Sequence, residues 1–132
     1  MMDFPDDLLY SREHTWLRLD GNLAIIGLTD YAQEKLGEII NIELPQVDNS
    51  VEQDEPFGTI ESSKTVTELI SPISGEVVRV NDDIMEDIGI INSDPYDTGW
   101  MIIVEIKDMD ELDNLLDSME YGDYIGGEEG LD

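Results

Sequence analysis

The sequence predicts a mainly β domain of two related halves packed face to face, with a short internal helix and a second helix near the C-terminus. Three observations carry this. Short apolar or alternating runs recur between turn signals along most of the chain. The segment Gly37-Glu38-Ile39-Ile40-Asn41-Ile42 is echoed by Gly75-Glu76-Val77-Val78-Arg79-Val80, each a glycine turn entering an apolar strand. Two windows carry helix start and stop signals instead.

In chain order, Trp16-Leu17-Arg18-Leu19 alternates, Asp20-Gly21-Asn22 turns, and Leu23 to Leu28 follows, which reads as a hairpin. Asp30 to Gly37 reads as a helix capped by Asp30, with Gln33 three residues on and Gly37 ending it. A strand runs from Ile39 to Leu44 and stops at Pro45. Pro56 to Ile70 reads as a hairpin whose exposed tip carries Ser62, Ser63 and Lys64. Ser71-Pro72 and Ser74-Gly75 then turn the chain into the second copy of the repeat. Asn81 to Gly99 reads as irregular, and Trp100 to Ile106 as a strand buried on both faces. Asp108 to Met119 reads as one helix, with Met109, Leu112, Leu115, Leu116 and Met119 as an apolar stripe against the β-core. Residues 1–121 form the expected domain. Residues 122–132, rich in glycine and acid, read as a frayed tail.

The chain has 132 residues, enough for one compact core. Its net charge is -27, from 33 acidic and 6 basic residues. So large an excess repels nucleic acid and anionic membranes and suits partners with a basic face, although a solvated surface tuned to habitat gives the same composition. No stretch approaches the roughly 20 apolar residues of a membrane span. The acidic start, Met1 to Asp7, resembles neither a secretory signal nor an Arg-rich transit peptide, so a cytoplasmic protein is expected. With no cysteine, thiolate chemistry and disulfides are absent.

Few residues offer chemistry. His14 is the single histidine, and the carboxylates fall in no metal-binding pattern. Gly126-Gly127 lacks the lysine, strand and helix of a phosphate loop. No catalytic residues and no metal site are expected. Lys64 differs from the other two lysines, Lys35 and Lys107, which sit in or beside helical segments. A lysine that must enter another protein's active site needs small neighbours and a short, ordered turn. An ordinary surface lysine in a turn satisfies the same residues.

Longer segments narrow the choice. Glu61-Ser62-Ser63-Lys64, Tyr10 to Trp16, Ile26-Gly27-Leu28-Thr29-Asp30-Tyr31-Ala32-Gln33, Ser71-Pro72-Ile73-Ser74-Gly75-Glu76-Val77, Asn92 to Tyr96 and Gly99-Trp100 occur in order along the chain. Together they resemble the H-protein family of the glycine cleavage system, from about Tyr10 to Tyr121. The resemblance implies a lipoyl-carrier domain at residues 1–121: a flattened β-barrel of two halves, the barrel-sandwich hybrid. It implies a non-catalytic carrier with lipoate joined covalently to Lys64. Its partners would be the glycine decarboxylase P protein, the aminomethyltransferase T protein, the dihydrolipoyl dehydrogenase L protein and lipoylating enzymes. The arm would take the aminomethyl group of glycine from P protein to T protein.

Glu61 and Gly75 match family positions that help the lipoylating enzyme recognise the hairpin. Biotin carriers place the lysine between methionines, unlike Ser63 and Thr65 here. In the family the loaded arm folds into a cleft beside the first strand, which here implies Glu13, His14, Thr15 and Glu68. The usual His-Glu-Trp reads His14-Thr15-Trp16, so a carboxylate is missing at Thr15, for which Glu13 or Glu68 could substitute. The departures leave a second reading, an H-like lipoate-binding protein serving sulfur oxidation or lipoyl relay.

Overall fold

The computed structural model describes residues 4–129. Its strands are β1 (Leu9–Tyr10), β2 (Thr15–Asp20), β3 (Leu23–Leu28), β4 (Ile39–Glu43), β5 (Ser50–Val51), β6 (Pro56–Ser62), β7 (Val66–Ile70), β8 (Gly75–Val80) and β9 (Ile102–Ile106). The α-helices are α1 (Asp30–Leu36), α2 (Asp83–Glu86), α3 (Ile90–Ser93) and α4 (Ser118–Glu129). A six-stranded sheet runs β1-β2-β3-β9-β8-β5, and a three-stranded sheet runs β4-β6-β7. Inward side chains of both sheets, among them Leu17, Ile26, Ile42, Ile60, Leu69, Val77 and Val104, meet in one apolar core.

The repeat is structural. Its two copies are β4 and β8, one in each sheet. Each carries a register shift at the same place: between Ile39 and Asn41 against β6, and between Val77 and Arg79 against β9. The extra residue in each copy, Ile40 or Val78, is turned outward and exposed. Two halves with the same local defect, in opposite sheets, make the flattened β-barrel that the sequence implies.

Local chemistry explains most elements. Asp20 pairs with Leu23 across the two-residue turn Gly21-Asn22, and Gly21 has φ 64°, the left-handed region such a turn requires. Helix α1 starts one residue earlier than the reading gave: Thr29, not Asp30, is its cap, accepting from the Ala32 N–H. Asp30 instead accepts from the Gln33 carboxamide at 2.7 Å, within the first turn. Gly37 ends the helix with φ 82°, as expected. The irregular stretch after Asn81 holds two one-turn helices, α2 and α3. Strand β9 is buried on one face only: Ile102, Val104 and Ile106 point inward, while Ile103 is half-buried and Glu105 exposed.

The single helix expected from Asp108 to Met119 is broken. A 3-10 helix covers Met109–Asn114. The chain then extends, and Leu116 exchanges two backbone hydrogen bonds of 2.8 Å with Tyr10. Helix α4 begins after a reciprocal cap, in which Asp117 and Glu120 each accept the other's backbone N–H. Of the proposed stripe only Leu116 is buried, and Met119 is 76% exposed. The helix docks through Tyr121 and Ile125 instead. It runs past Tyr121 to Glu129, through much of the segment read as a frayed tail; residues 130–132 lie outside the described residues.

Gly75 sits where β8 is squeezed between β5 and β9. A Cβ there would lie 2.0 Å from the Glu105 carbonyl oxygen and 2.6 Å from a Val104 methyl. Backbone cannot retreat as a side chain can. Gly75→Ala is therefore expected to destabilise the fold by about 3 kcal/mol and lower the melting temperature by about 10 °C in thermal unfolding.

Candidate functional site

Lys64 stands at the tip of the β6–β7 hairpin, exposed, with exposed Ser63 and Thr65 beside it. The turn is tight and closed by a side chain. The Ser62 N–H donates to the Thr65 carbonyl at 2.8 Å. The Ser62 hydroxyl oxygen accepts from the backbone N–H of Lys64 (3.1 Å) and of Thr65 (3.2 Å). A hydroxyl thus replaces the carbonyl that would ordinarily cross the turn. The Ser63 N–H donates outside the hairpin, to the Glu38 carbonyl at 2.9 Å.

That anchor is itself held. Asn92, on α3, accepts from the Ile39 N–H at 3.0 Å and donates to the Gly37 carbonyl and the Gln33 carboxamide oxygen, each at 2.9 Å. One side chain therefore joins the end of α1 to the start of β4, the segment that receives the tip. Gly37 also clears a path: a Cβ there would lie 3.3 Å from Lys64 Cε. The aliphatic stem of Lys64 thus runs along glycine backbone. Sequence reading did not single out Gly37 or Asn92 for these roles. Their partners are distant in sequence, and only the left-handed turn at Gly37 left a local signal.

A cleft of about 360 Å³ opens beside the tip. One wall is Thr65 to Leu69 in succession, because β7 is an edge strand and presents its edge. The other is built from Glu13, His14 and Thr15 together with Tyr31 and Lys35 of α1. Glu13, His14, Thr15 and Glu68 therefore come together around one cavity. Glu13 and Glu68 are exposed, and His14 is half-buried. His14 sits at φ 73°. Its Nδ1 lies 2.9 Å from the Tyr121 hydroxyl, which lies 2.8 Å from the Thr29 hydroxyl capping α1. Helix α4 thereby holds the cleft's back wall.

Thr15 differs from what its position suggests. It is 1% exposed. Its hydroxyl donates to the Ile70 carbonyl at 3.2 Å and stands 2.8 Å from the Ser11 hydroxyl, which also accepts the Thr15 N–H. These bonds clasp β2 of the larger sheet to the end of β7 in the smaller one. Both hydrogen-bonding directions of this hydroxyl are engaged within the body.

Glu61 lies on the outer face of the hairpin, paired with Val66 and Asn41. Gly75 does not join the tip. It follows the open end of the hairpin, beyond Ile70, which at about 3.4 Å per residue is well over 15 Å from the turn.

The family described as Glycine cleavage H-protein matches residues 8–128. The chain belongs to that family. It is 50% identical over 120 residues to the glycine cleavage system H protein of Brevibacillus brevis, covering 91% of this chain and 95% of that one. It is 48% identical over 124 residues to that of Anoxybacillus flavithermus, covering 94% and 98%. Among solved structures, the glycine cleavage system H protein of Mycobacterium marinum superposes with a TM-score of 0.84 at 35% identity, covering 97% and 100%.

The ordered tip has a clear requirement: the Glu38 carbonyl that receives the Ser63 N–H must itself be held in place. Asn92 meets that requirement from a neighbouring element. Asn92→Ala removes three hydrogen bonds and leaves the Ile39 N–H without its acceptor. A loss of about 2 kcal/mol is expected, read in denaturant unfolding. Hydrogen exchange should quicken at Ile39 and Ser63 more than at β2.

Proposed function

We propose that the chain is the non-catalytic lipoyl carrier of a glycine cleavage system, working in the cytoplasm. Lipoate would be joined to Lys64, and the carrier would serve the P, T and L proteins in turn. One observation carries the reading: a lysine on a rigid tip among small residues, immediately beside a cleft able to receive what it carries. The relatives named above bear the glycine cleavage name, which weighs against sulfur oxidation or lipoyl relay as the pathway.

The residues present fit the cofactor. Lys64 is exposed, and Ser62, Ser63 and Thr65 leave its approach open. When bound, lipoate supplies a dithiolane that accepts an aminomethyl group from one enzyme and yields it to the next. The protein's own work is positional. The fixed tip gives each partner the same lysine in the same place, so ordering costs are met within the carrier. The tether raises the effective concentration of the cargo at each active site. In the cleft, Glu13 and Glu68 face a cationic cargo, while Thr15 acts as a structural clasp. Glu61 stands beside the tip where a lipoylating enzyme would meet it. Gly75 contributes to that recognition through the sheet it allows to close.

Expressed with active lipoylating enzymes, the chain should gain one lipoyl mass on the peptide holding Glu61 to Glu68. Lys64→Arg should abolish it, because guanidinium is a poor acyl acceptor. The lipoylated chain should support glycine–bicarbonate exchange with a P protein; modification elsewhere, or no exchange, would overturn the reading.

The cleft gives a second expectation. Glu68→Gln should release the carried amine to water several-fold faster, measured as ammonia set free from loaded protein. Thr15→Val should leave that rate unchanged while costing about 1–2 kcal/mol of stability.

A further inference from the structure

A chain of two hydrogen bonds joins His14, in the cleft, to the cap of α1 through the buried Tyr121. His14 Nδ1 lies 2.9 Å from the Tyr121 hydroxyl, and that hydroxyl lies 2.8 Å from the Thr29 hydroxyl. The far end is fixed, because the Thr29 oxygen also accepts the Ala32 N–H at 3.2 Å. The middle is fixed too, because the Tyr121 ring stacks on Tyr10 with centroids 4.7 Å apart. The His14 ring itself lines the cleft. Among the described residues, the titratable and charged groups that face it are Glu13 beside it, Tyr31 and Lys35 of α1, Glu68 of β7, and Tyr121 and Tyr124 of α4.

We propose that this chain is a reversible proton switch: it lets His14 take up a proton while staying bonded to α4, and the charge gained on the ring drives a cationic cargo from the cleft. The inference rests on the cleft receiving an amine carried by Lys64. Tyr121 acts through His14, as a positioning residue. Beside a neutral ring the phenol is the better donor and the imidazole nitrogen the better acceptor, so Tyr121 donates to Nδ1 and accepts from Thr29. When the ring takes a proton from solvent, Nδ1–H becomes the donor. The Tyr121 proton then turns to the Thr29 oxygen, which has a second lone pair beside the one that Ala32 uses. Both contacts keep a hydrogen bond, and the one group displaced is the Thr29 hydroxyl proton. An imidazole changes charge between about pH 5 and 8. While the ring is neutral, Glu13 and Glu68 hold the amine. Once it is charged, a cation stands in the cavity wall against the cargo. Retention is therefore full at high pH and lost as the pH falls through the imidazole titration.

His14 is the single histidine, so its ring nitrogens are identified in a nitrogen-15 NMR spectrum without assignment. At about pH 8 the unloaded chain should show the proton on Nε2 and Nδ1 bare; a proton on Nδ1 there would overturn the switch. Release is read as ammonia set free from loaded protein at about pH 8 and about pH 5.5, the lower value lying above the ordinary carboxyl range of about 4. Dividing the wild-type rate by that of His14→Asn cancels the amine's own response to pH. Asparagine carries no charge and tolerates the φ of 73° at this position. The ratio should rise about fivefold from the higher pH to the lower. Tyr121→Phe keeps the stacked ring and removes the acceptor of the Nδ1 proton, a charge-assisted bond, so its ratio to His14→Asn should rise less than about twofold. A merely structural role for Tyr121 would speed release at both pH values alike, and that ratio would climb as the wild type's does. That outcome, or a wild-type ratio that stays flat, would overturn the proposal. A wild-type chain that takes no lipoyl mass at Lys64 would instead remove the reading on which it rests.

Discussion

The hairpin tip satisfies a constraint on which the rest of the site depends: an exposed turn keeps a single shape only when its backbone donors are bonded within the protein. From Ser62 to Thr65 every N–H has a partner, two of them on the Ser62 hydroxyl and one on Glu38. Polar groups left open at an exposed turn would be taken by water, and the turn would then sample many shapes. Here the serine hydroxyl fixes the turn from inside, and Glu38 ties it to the neighbouring strand. Asn92 in turn fixes Glu38 between Gly37 and Ile39. The order of the tip is thus passed inward through three elements to the core.

Order at the tip shifts all searching to the lysine side chain. A loose loop would spread Nζ over a wide volume, and each partner would lose binding energy in gathering it. A rigid turn leaves only the side-chain torsions free. The glycine at position 37 serves the same end, since any Cβ there would press on the Lys64 stem and bias its rotamers. Three of the other basic side chains are placed quite differently. Arg18, Lys35 and Arg79 lie over the rings of Trp16, Tyr31 and Trp100, at 5.1, 5.7 and 5.4 Å. Those cations lie over aromatic rings of the body, whereas the Lys64 stem lies along the glycine backbone at position 37 and its residue is exposed.

What could be read from sequence alone follows the range of the interactions. The hairpin at Gly21, the end of α1 at Gly37 and the turn at Lys64 depend on residues within a few positions, and each was legible. The repeat was legible as a pattern, and its shared bulge was not, because a bulge exists only against a partner strand. Asp30 and Thr29 are both good caps; burial beside Tyr121, 92 residues away, selects Thr29. The stripe from Met109 to Met119 had helical spacing, but Leu116 finds a strand partner in Tyr10. Helix α4 starts instead at the reciprocal cap of Asp117 and Glu120, which falls at the far end of that stripe. Glu13, His14, Thr15 and Glu68 were grouped only by resemblance, and in the fold they line one cavity whose role is proposed above.

Thr15 shows how a residue can be important for a reason that its position hides. Set against the family's usual carboxylate, it reads as a missing ligand. In the fold it is a joint. The bond from its hydroxyl to the Ile70 carbonyl crosses 55 residues of sequence and links the two sheets at the floor of the cleft. A carboxylate in that buried spot could not donate to a carbonyl, and it would place a charge against Ser11 and the strand end. The exchange of roles has a consequence for the cleft. With its floor closed by neutral hydrogen bonds, charge is left to the rim, on the exposed carboxylates of Glu13 and Glu68. A rim charge attracts a cation at longer range and holds it less tightly than a buried one, because water and salt reach it. Cargo that must be handed on to another enzyme is served by capture of that kind, since release then needs no buried ion pair to be broken.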